Sequence, residues 1–323
     1  MIESSSKISI LITYYNEKQL LKRCLESLEK QLLAPIEVII YDDASSFKAV
    51  DFVDCSVYRF SVRIVRNEIN RGPAHGRNVL MKMANAEYIR FQDADDELFE
   101  NALYEIEQRI LKTEADIILN EVSSFNEKNE LICERVIGLN LNLKNLFEFS
   151  LSHALLIPSI TYKREFALTV GGFKDRSILP QSEDSDFNRR TFLKTNNFSF
   201  IDLALAKQNI RTNSHSSKSY DEVWPSGLKS LLSLKNEIKP QHLPAYGEAL
   251  LQTALRLYEN KNYTIAKIAF REYVNEGYSA YKGYNSIKKL MAKTIGPLTT
   301  EHFSRFYRSL IPEIVRRNFN PSK

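Results

Sequence analysis

The sequence predicts an α/β fold in which a mostly parallel sheet carries helices on both faces, followed by a helical C-terminal region. Two patterns in the 323 residues, 43% of them apolar, lead to this prediction. Short β-branched apolar runs alternate with helical periodicity up to Lys112, as in parallel α/β proteins. From Leu228 onward only helical spacing recurs. The chain is long enough for one large core or two smaller ones.

The predicted elements of the α/β part follow one another closely along the chain. Apolar runs of strand length alternate with segments whose apolar residues recur every three or four positions. Pro73 suits the first turn of the second helix, where a missing N–H has no cost. In order, the elements are a strand at Lys7–Thr13, a helix at Glu17–Leu32, strands at Ile36–Tyr41 and Val62–Arg66, a helix from Pro73, a strand at Glu87–Phe91 and a helix at Glu97–Lys112.

Polar side chains collect where these strands end. In parallel sheets, ligands bind at the carboxyl ends of the strands, near the point where the strand order reverses. The sequence therefore predicts a binding site at this edge of the sheet. The residues at the predicted strand ends are Thr13, Tyr15, Asp42, Asp43, Asn67, Asp93, Asp95 and Asp96.

The segment Phe91–Glu97 concentrates three aspartates within four positions. A divalent cation that keeps its waters and bridges phosphate oxygens uses one or two such carboxylates. An alternative is that Asp96 caps a helix beginning near Glu97 and the other aspartates are solvated turn residues. The chain has no glycine-rich phosphate loop of either common type, so the phosphates of a bound nucleotide would be neutralised by a metal ion and an arginine.

Four ordered motifs in the first 96 residues resemble the GT-A glycosyltransferases of family 2, inverting nucleotide-sugar enzymes typical of bacterial polysaccharide assembly. The resemblance continues downstream and covers about residues 7–220. It implies a GT-A, Rossmann-like catalytic domain at residues 1–222, and a helical C-terminal domain at residues 223–323. The motifs are Ile10–Glu17, Glu37–Ser45, Asn67–Asn78 and Gln92–Asp96, followed by Gly171–Phe173, Glu183–Asp186 and, more loosely, Arg211–Ser219.

The resemblance implies roles for residues on the donor side. Thr13 and Tyr15 would line a uracil pocket, and Asp43 would accept the ring N–H of the base. The Arg77 guanidinium would contact the diphosphate, for which a planar charged fork is suited. Asp93 would reach the ribose, while Asn16 and Ala94 would also line the nucleotide-sugar site.

The resemblance likewise implies a metal site and a catalytic base. Asp95, with Asp96, would hold Mn²⁺ or Mg²⁺, and His215 could complete the site, although its altered spacing equally fits a solvated loop histidine. Asp184 would be the general base that takes the proton of an acceptor hydroxyl. Glu183–Asp186 also fits a helix N-terminus, where acids are favoured, and both interpretations can hold together. The cleft between donor and acceptor would include Gly172, Phe173 and Glu183.

The C-terminal region is basic. From Tyr281 onward there are nine Lys/Arg and two acidic residues, so this part carries +7 and the rest of the chain about −3. Such an end suggests an anionic partner surface, phospholipid or nucleic acid. The last predicted helix, Thr299–Arg317, carries an apolar stripe flanked by arginines, which fits a membrane-surface anchor or an ordinary docked helix. The stripe comprises Phe303, Phe306, Tyr307, Leu310, Ile311 and Ile314.

Four further helices are predicted upstream of that last one. The second and third resemble one tetratricopeptide-like hairpin, and a helical cap packed on the catalytic domain is the simpler alternative. The tetrapeptide Trp224–Gly227 is predicted to interrupt the chain before the first of them. The four segments are Leu228–Ile238, Ala245–Asn260, Tyr263–Glu276 and Tyr281–Thr294.

The sequence also bears on location and covalent chemistry. The start of the chain lacks the apolar core of a signal peptide, and no stretch approaches the ~18 apolar residues of a membrane span, so we expect a cytoplasmic protein that can associate with the inner face of the membrane. The three scattered cysteines, Cys24, Cys55 and Cys133, are expected to be buried free thiols.

Together these features predict an inverting, metal-dependent glycosyltransferase. It would move a hexosyl or N-acetylhexosaminyl group from a UDP-sugar to the hydroxyl of a glycan or lipid-linked saccharide, in capsule or O-antigen assembly, with no nucleic-acid partner. One alternative is a nucleotidyltransferase, which is disfavoured because the first strand lacks a basic, glycine-rich loop. Another is a non-catalytic UDP-binding or scaffold protein.

Overall fold

A computed structural model of the chain describes residues 6–138, 145–153, 155–211 and 220–310. The chain divides into two compact units, residues 1–226 and 227–323. The first unit is a mixed α/β structure and the second is helical, so the predicted fold class is confirmed. The predicted functional boundary at residue 222 stays a prediction.

One sheet organises the first unit. Its order is β3-β2-β1-β4-β8-β6-β9-β5, and β7 pairs with β6. The four strands anticipated from the sequence, β3-β2-β1-β4, are parallel to one another, while β8 and β6 bring antiparallel pairing and β9 runs parallel to β6. The strands are β1 Ile8–Tyr14, β2 Glu37–Asp43, β3 Ser61–Asn67, β4 Tyr88–Asp93, β5 Glu97–Leu98, β6 Ile117–Phe125, β7 Leu131–Cys133, β8 Ile160–Lys163 and β9 Phe198–Asn209.

The strand order fixes where a ligand can bind. The chain passes from β1 to β2 and β3 on one side, then returns to β4 on the other side of β1. The switch point therefore lies between the ends of β1 and β4. These strands are apolar runs because both faces are covered: Ile10 and Ile12 on one face and Leu11 on the other are all fully buried.

In the described part of the first unit, six α-helices lie wholly within it. α1 and α2 occupy the crossover connections of the parallel strands, as expected for such connections. Pro73 is the first residue of α2, in agreement with the prediction. The helices are α1 Lys18–Glu29, α2 Pro73–Met83, α3 Ala102–Thr113, α4 Leu146–Ser152, α5 Arg164–Thr169 and α6 Glu183–Lys194.

The helix predicted to begin at Glu97 begins five residues later. Glu97 and Leu98 form β5 and pair with Lys207 and Ala206 of β9. The strand partner of these two residues is more than 100 residues away in the sequence, and the Leu98 N–H donates to the Ser27 hydroxyl at 3.1 Å; local periodicity reveals neither contact. Asn101 is the N-cap of α3, so the alternative role of Asp96 as a helix cap is wrong.

The helical part of the chain begins with α7, Tyr220–Leu234, which includes the boundary between the two units at residues 226 and 227. Trp224–Gly227 lies inside α7, so the predicted break there is wrong; Pro225 removes only one backbone N–H from the helix. The α8–α9 pair forms the predicted antiparallel hairpin, with Leu250, Ala254, Ala266 and Phe270 buried. The helices are α7 Tyr220–Leu234, α8 Leu243–Glu259, α9 Tyr263–Asn275, α10 Ser286–Ile295 and α11 Pro297–Leu310.

The last described helix exposes much of its predicted apolar stripe. Phe303, Phe306 and Tyr307 of α11 are 55%, 63% and 67% exposed. The predicted continuation of the stripe at Ile311 and Ile314 lies outside the described residues. Within the described ranges, no helix combines the length and the apolar content needed to cross a membrane.

All three cysteines are free thiols, but only Cys24 is buried. Cys55 and Cys133 are exposed, contrary to prediction, because Cys55 lies in a surface turn and Cys133 on the exposed strand β7.

Candidate active site

The site begins where β1, β2 and β4 end side by side. Thr13 pairs in register with Tyr41 on one side and Asp93 on the other. Helix α2 lies close over this row because it has a glycine at the contact: a Cβ on Gly76 would lie 2.6 Å from the Tyr41 ring and 3.0 Å from the Thr13 methyl group. This close approach brings Arg77, the next residue, to the end of β4.

Arg77 links the two sides of the site. Its buried guanidinium donates to Asp93 at 2.9 Å and to Glu183, the first residue of α6, at 2.8 Å. Burial alone would lower the pKa of Arg77, but the Asp93 and Glu183 carboxylates outweigh it and raise that pKa. Arg77 therefore remains charged and holds a carboxylate from the sheet and one from the helix on the same cation.

Asn78 fixes the segment that precedes α6. Its side-chain amide donates to the Phe173 carbonyl at 2.8 Å and accepts from the Phe173 N–H at 2.7 Å. Gly172 has φ +79°, and a Cβ there would lie 2.5 Å from the Asn78 oxygen. The Phe173 side chain is 3% exposed and stacks on Phe187 at 4.1 Å, so this predicted cleft residue supports the site from within the core.

Asp184 and Asp186 have different environments although they are two residues apart in α6. Burial, together with the neighbouring Glu183 charge, raises the pKa of Asp184 to about 6, while Arg77 opposes the shift. Asp186 is fully buried and pairs with Lys174 at 2.8 Å and Arg190 at 2.7 Å. Asp184 is thus suited to exchange a proton near neutral pH, whereas Asp186 stabilises the structure.

The predicted metal ligands Asp95 and Asp96 also differ. Asp95 accepts from Arg211 at 2.5 Å, and Arg211 donates in addition to Glu17 at 2.7 Å. Burial and the Asp93 charge raise the pKa of Asp95, and Arg211 opposes them. Asp96 is 4% exposed and accepts the Asn209 backbone N–H at 3.2 Å. Burial and the adjacent Asp95 charge raise the pKa of Asp96 well above its usual range.

The carboxylates at the end of β4 are of the kind that binds divalent cations. In the described ranges, no cluster of three or more His, Cys, Asp or Glu side chains is arranged to hold a metal ion. The third predicted ligand, His215, lies outside those residues. Among the residues that the structure describes, the charges of Asp93, Asp95, Asp96 and Glu17 are nevertheless opposed by two arginines, Arg77 and Arg211, and carboxylate oxygens are the ligands that Mg²⁺ and Mn²⁺ prefer. This surplus of negative charge fits a divalent cation, which Asp95 would hold.

The end of β2 is shaped by hydrogen bonds to the loops around it. Asp43 accepts the backbone N–H groups of Arg71 and Gly72 at 2.9 and 2.7 Å, which anchors the start of α2. A carboxylate offers about four acceptor positions, so Asp43 retains capacity for one more donor. Asn16 has φ +58° and accepts the Ser46 N–H at 2.6 Å.

Two predicted donor-site residues contrast in exposure. The Tyr15 side chain, next to Asn16, is 45% exposed and offers a ring face for stacking. Ala94 is 4% exposed and lies in the turn closed by the Asp96 N–H and the Asp93 carbonyl at 3.1 Å. The Ala94 side chain is therefore packed inside the protein.

Three residues that the sequence did not single out belong to this site. The Asn209 side chain donates to the Asp95 carbonyl at 2.7 Å. Arg211 forms one ion pair with Asp95 and a second with Glu17. Strand β9 brings Asn209 and Arg211 to the aspartates through its pairing with β5. The loose motif around Arg211 was the one sequence signal that could have identified this arginine.

Residues 9–147 match the family model described as "Glycosyl transferase family 2". Among curated proteins, an uncharacterized glycosyltransferase of Haemophilus influenzae is 33% identical over 193 residues, 56% of this chain and 60% of that protein. Glycosyltransferase GlyG of Streptococcus pneumoniae serotype 4 is 29% identical over 126 residues, 39% of this chain and 42% of that protein. The chain thus spans less than two thirds of either relative.

A solved structure has a similar fold. The crystal structure of Staphylococcus aureus TarS 1-349 in complex with UDP-GlcNAc matches with a TM-score of 0.58 and 20% identity, covering 77% of this chain and 81% of that one. In sequence, S. aureus TarS (strain MW2), a poly(ribitol-phosphate) beta-N-acetylglucosaminyltransferase, is 24% identical over 223 residues, 66% of this chain and 37% of that protein.

Proposed function

We propose, from the match of residues 9–147 to the model of glycosyl transferase family 2, that this chain transfers a sugar from a UDP-sugar to an acceptor hydroxyl with inversion at the anomeric carbon. The observation that carries the proposal is the bridge made by Arg77 between Asp93 and Glu183. It holds the carboxylates at the switch point and the acidic start of α6 together, with Asp184 next to the bridge. The UDP-GlcNAc bound to the similar TarS structure supports a UDP-sugar as the donor.

The donor would bind across the ends of β1, β2 and β4. Tyr15 offers an exposed ring to the base, and Asp43 has a free acceptor position for a ring N–H. The Asp93 carboxylate is 34% exposed beside Thr13 and suits a ribose hydroxyl. The Arg77 guanidinium, which has five N–H donors, lies where it can also reach phosphate oxygens.

Asp184 would perform the proton transfer. With a pKa of about 6, it is largely ionised at pH 7 and able to accept a proton. It would remove the acceptor hydroxyl proton as that oxygen forms a bond to the anomeric carbon. The bond from this carbon to the diphosphate breaks at the same time, so UDP departs from the opposite face and the configuration inverts. Arg77 counters the charge that builds on the departing diphosphate.

A divalent cation is part of the proposal. Asp95 would hold Mn²⁺ or Mg²⁺, with Asp96 behind it and His215 as a further candidate ligand. When bound, the ion supplies positive charge that stabilises the nucleoside diphosphate as a leaving group. Asp96 would mainly hold the Asp95 segment in place, because its carboxylate is buried and accepts a hydrogen bond from the backbone of Asn209.

The acceptor is proposed to be a bacterial cell-surface glycan or its lipid-linked precursor. The names of two relatives support this class: a poly(ribitol-phosphate) glycosyltransferase and the teichoic acid poly(glycerol phosphate) polymerase of Staphylococcus epidermidis, the latter 33% identical over 100 residues, 30% of this chain and 14% of that protein. Nucleotide sugars are made in the cytoplasm, so we infer that the reaction takes place there.

We further propose that α11 contacts the inner face of the membrane. Its exposed Phe303, Phe306 and Tyr307 could enter the headgroup region, and the net positive charge of the C-terminal region favours anionic lipid. The double variant Phe303→Ser/Phe306→Ser should then bind phosphatidylglycerol vesicles several-fold more weakly in a sedimentation assay. Leu111→Ser, which removes an equally exposed leucine of α3, is the control. Equal binding by both variants and the wild type would contradict this contact.

The proposed reaction is tested with a panel of UDP-sugars and Mn²⁺, by measuring UDP release with and without EDTA. We expect release for at least one UDP-sugar, its loss in EDTA and its loss in Asp95→Asn. Full activity in EDTA would remove the metal from the mechanism, and release of pyrophosphate in place of UDP would indicate a nucleotidyltransferase.

A further inference from the structure

Arg211 forms ion pairs with two carboxylates of the site, Glu17 and Asp95. It lies two residues beyond the end of β9, and its two terminal nitrogens contact different carboxylates. One nitrogen is 2.7 Å from Glu17, in the loop after β1, and the other is 2.5 Å from Asp95. The remaining nitrogen, Nε, is buried without a hydrogen-bond partner among the described residues. Arg211 thus contacts the carboxylate proposed to hold the cation.

We propose that Arg211 is an internal, displaceable cation: it holds Asp95 while the donor site is empty, releases Asp95 to a divalent ion when nucleotide binds, and then contacts the diphosphate. This inference rests on the proposed function and extends it to a residue to which no role has been given. A guanidinium 2.5 Å from the Asp95 oxygen and a divalent ion on that oxygen would repel each other, so each weakens the binding of the other to Asp95.

Glu17 gives Arg211 a second anchor that does not involve Asp95. Because Glu17 lies on another loop and is 34% exposed, its pairing with Arg211 can persist when Asp95 is taken by the metal. The guanidinium would then present its freed N–H groups next to Asp95. Planar N–H pairs match phosphate oxygens well, and the donor diphosphate is the group that brings such oxygens to this position.

This arrangement couples the metal to the nucleotide. A divalent ion that binds alone has to separate Arg211 from Asp95 with no new partner for the guanidinium. With UDP present, the diphosphate provides that partner, so each ligand raises the affinity of the other by the same factor. We expect weak Mn²⁺ binding by the free protein and much tighter binding when UDP is present.

The test measures binding instead of turnover. Mn²⁺ is titrated into the full chain without nucleotide and followed by electron paramagnetic resonance, and UDP binding at saturating Mn²⁺ is measured by calorimetry. Arg211→Gln should bind Mn²⁺ alone about tenfold more tightly than the wild type and UDP about tenfold more weakly, because one charge-assisted ion pair is lost in each state. Arg211→Lys, which keeps the charge, should give intermediate values.

Two further variants separate this switch from a general charge effect. Arg23→Gln removes a cation that pairs with Glu97 and Asn209 at the edge of the same site, and should leave both affinities within about twofold of the wild type. Glu17→Gln leaves the Arg211–Asp95 pair in place and should not tighten Mn²⁺ binding, yet it should weaken UDP binding.

Three results would overturn the inference. They are unchanged Mn²⁺ affinity in Arg211→Gln, the same gain in Arg23→Gln, and a gain in Glu17→Gln. If Arg211→Gln weakens UDP binding alone, the arginine is a fixed phosphate ligand and not a displaceable cation. Failure of the proposed function looks different, since the wild-type protein would then bind no UDP under any condition.

Discussion

Asp184 gives the sharpest prediction. Replacing it with Asn keeps its size but removes its ability to accept a proton, so UDP release coupled to sugar transfer should fall by ~10² to 10⁴. In the wild type, the active form is the ionised carboxylate, whose pKa is about 6. Activity should therefore rise with pH through about 6 and then level off, and the rate at pH 5 should be about a tenth of the plateau.

The causes of this pKa allow a second measurement. The Glu183 charge is the largest contribution after burial, and Glu183 also occupies one side of Arg77. Glu183→Gln removes a negative neighbour of Asp184 and also one of the two carboxylates paired with Arg77, whose charge lowers the Asp184 pKa, so both effects lower that pKa. The acidic limb of the pH profile should move to lower pH. A limb that moves to higher pH, or a flat profile between pH 5 and 8 in the wild type, would refute the assignment of Asp184 as the base.

The same carboxylate should affect folding stability. Its pKa is higher in the folded chain than the usual Asp value of about 3.9, so ionisation favours the unfolded state. This destabilisation is absent below pH 4, grows as the pH rises to about 6 and is complete above it. Asp184→Asn should therefore be more stable than the wild type at pH 7.5, by up to about 3 kcal/mol, and similar at pH 3.5. Urea unfolding at both pH values checks this, and an Asn variant that is less stable at pH 7.5 would contradict the pKa.

The tight glycine contacts and the buried aspartate give three further predictions. Gly172→Ala should lower the free energy of unfolding in urea by about 2–4 kcal/mol, because the new Cβ would clash with the Asn78 amide. The control Gly171→Ala, at φ +87° but with open space around it, should lower this free energy by only about 1 kcal/mol. Equal losses in the two variants would argue against the clash. Gly76→Ala should weaken UDP binding about tenfold by calorimetry, because α2 has to move away from the strand ends; unchanged affinity would show that the helix position is not critical. Asp186→Asn should cost about 3 kcal/mol in urea unfolding, because two cations lose a fully buried carboxylate, and a loss below 1 kcal/mol would contradict that role.

Much of the site was predictable because it follows locally encoded strands. The runs that form β1, β2, β3 and β4 are apolar enough to identify from the sequence, and the polar residues directly after them have to gather at one edge of a parallel sheet. For the same reason, the acidic start of α6 could be predicted as a helix N-terminus. Residue roles carried over from the family resemblance remain proposals that the experiments above test.

The sequence by itself determined the α/β order, the aspartates at the end of β4 and the basic character of the C-terminal region, since each depends on neighbouring residues. Tertiary structure alone decided the rest. Glu97 and Leu98 form a strand because they pair with β9. Asp96 is buried and accepts the backbone N–H of Asn209. Arg211 contacts Asp95, which lies 116 residues away in the sequence. Pairing between distant segments sets burial and ion pairs, and no local period in the sequence records it. A metal ion bound as proposed at these aspartates would therefore compete with Arg211, whose contact with Asp95 only the folded chain reveals.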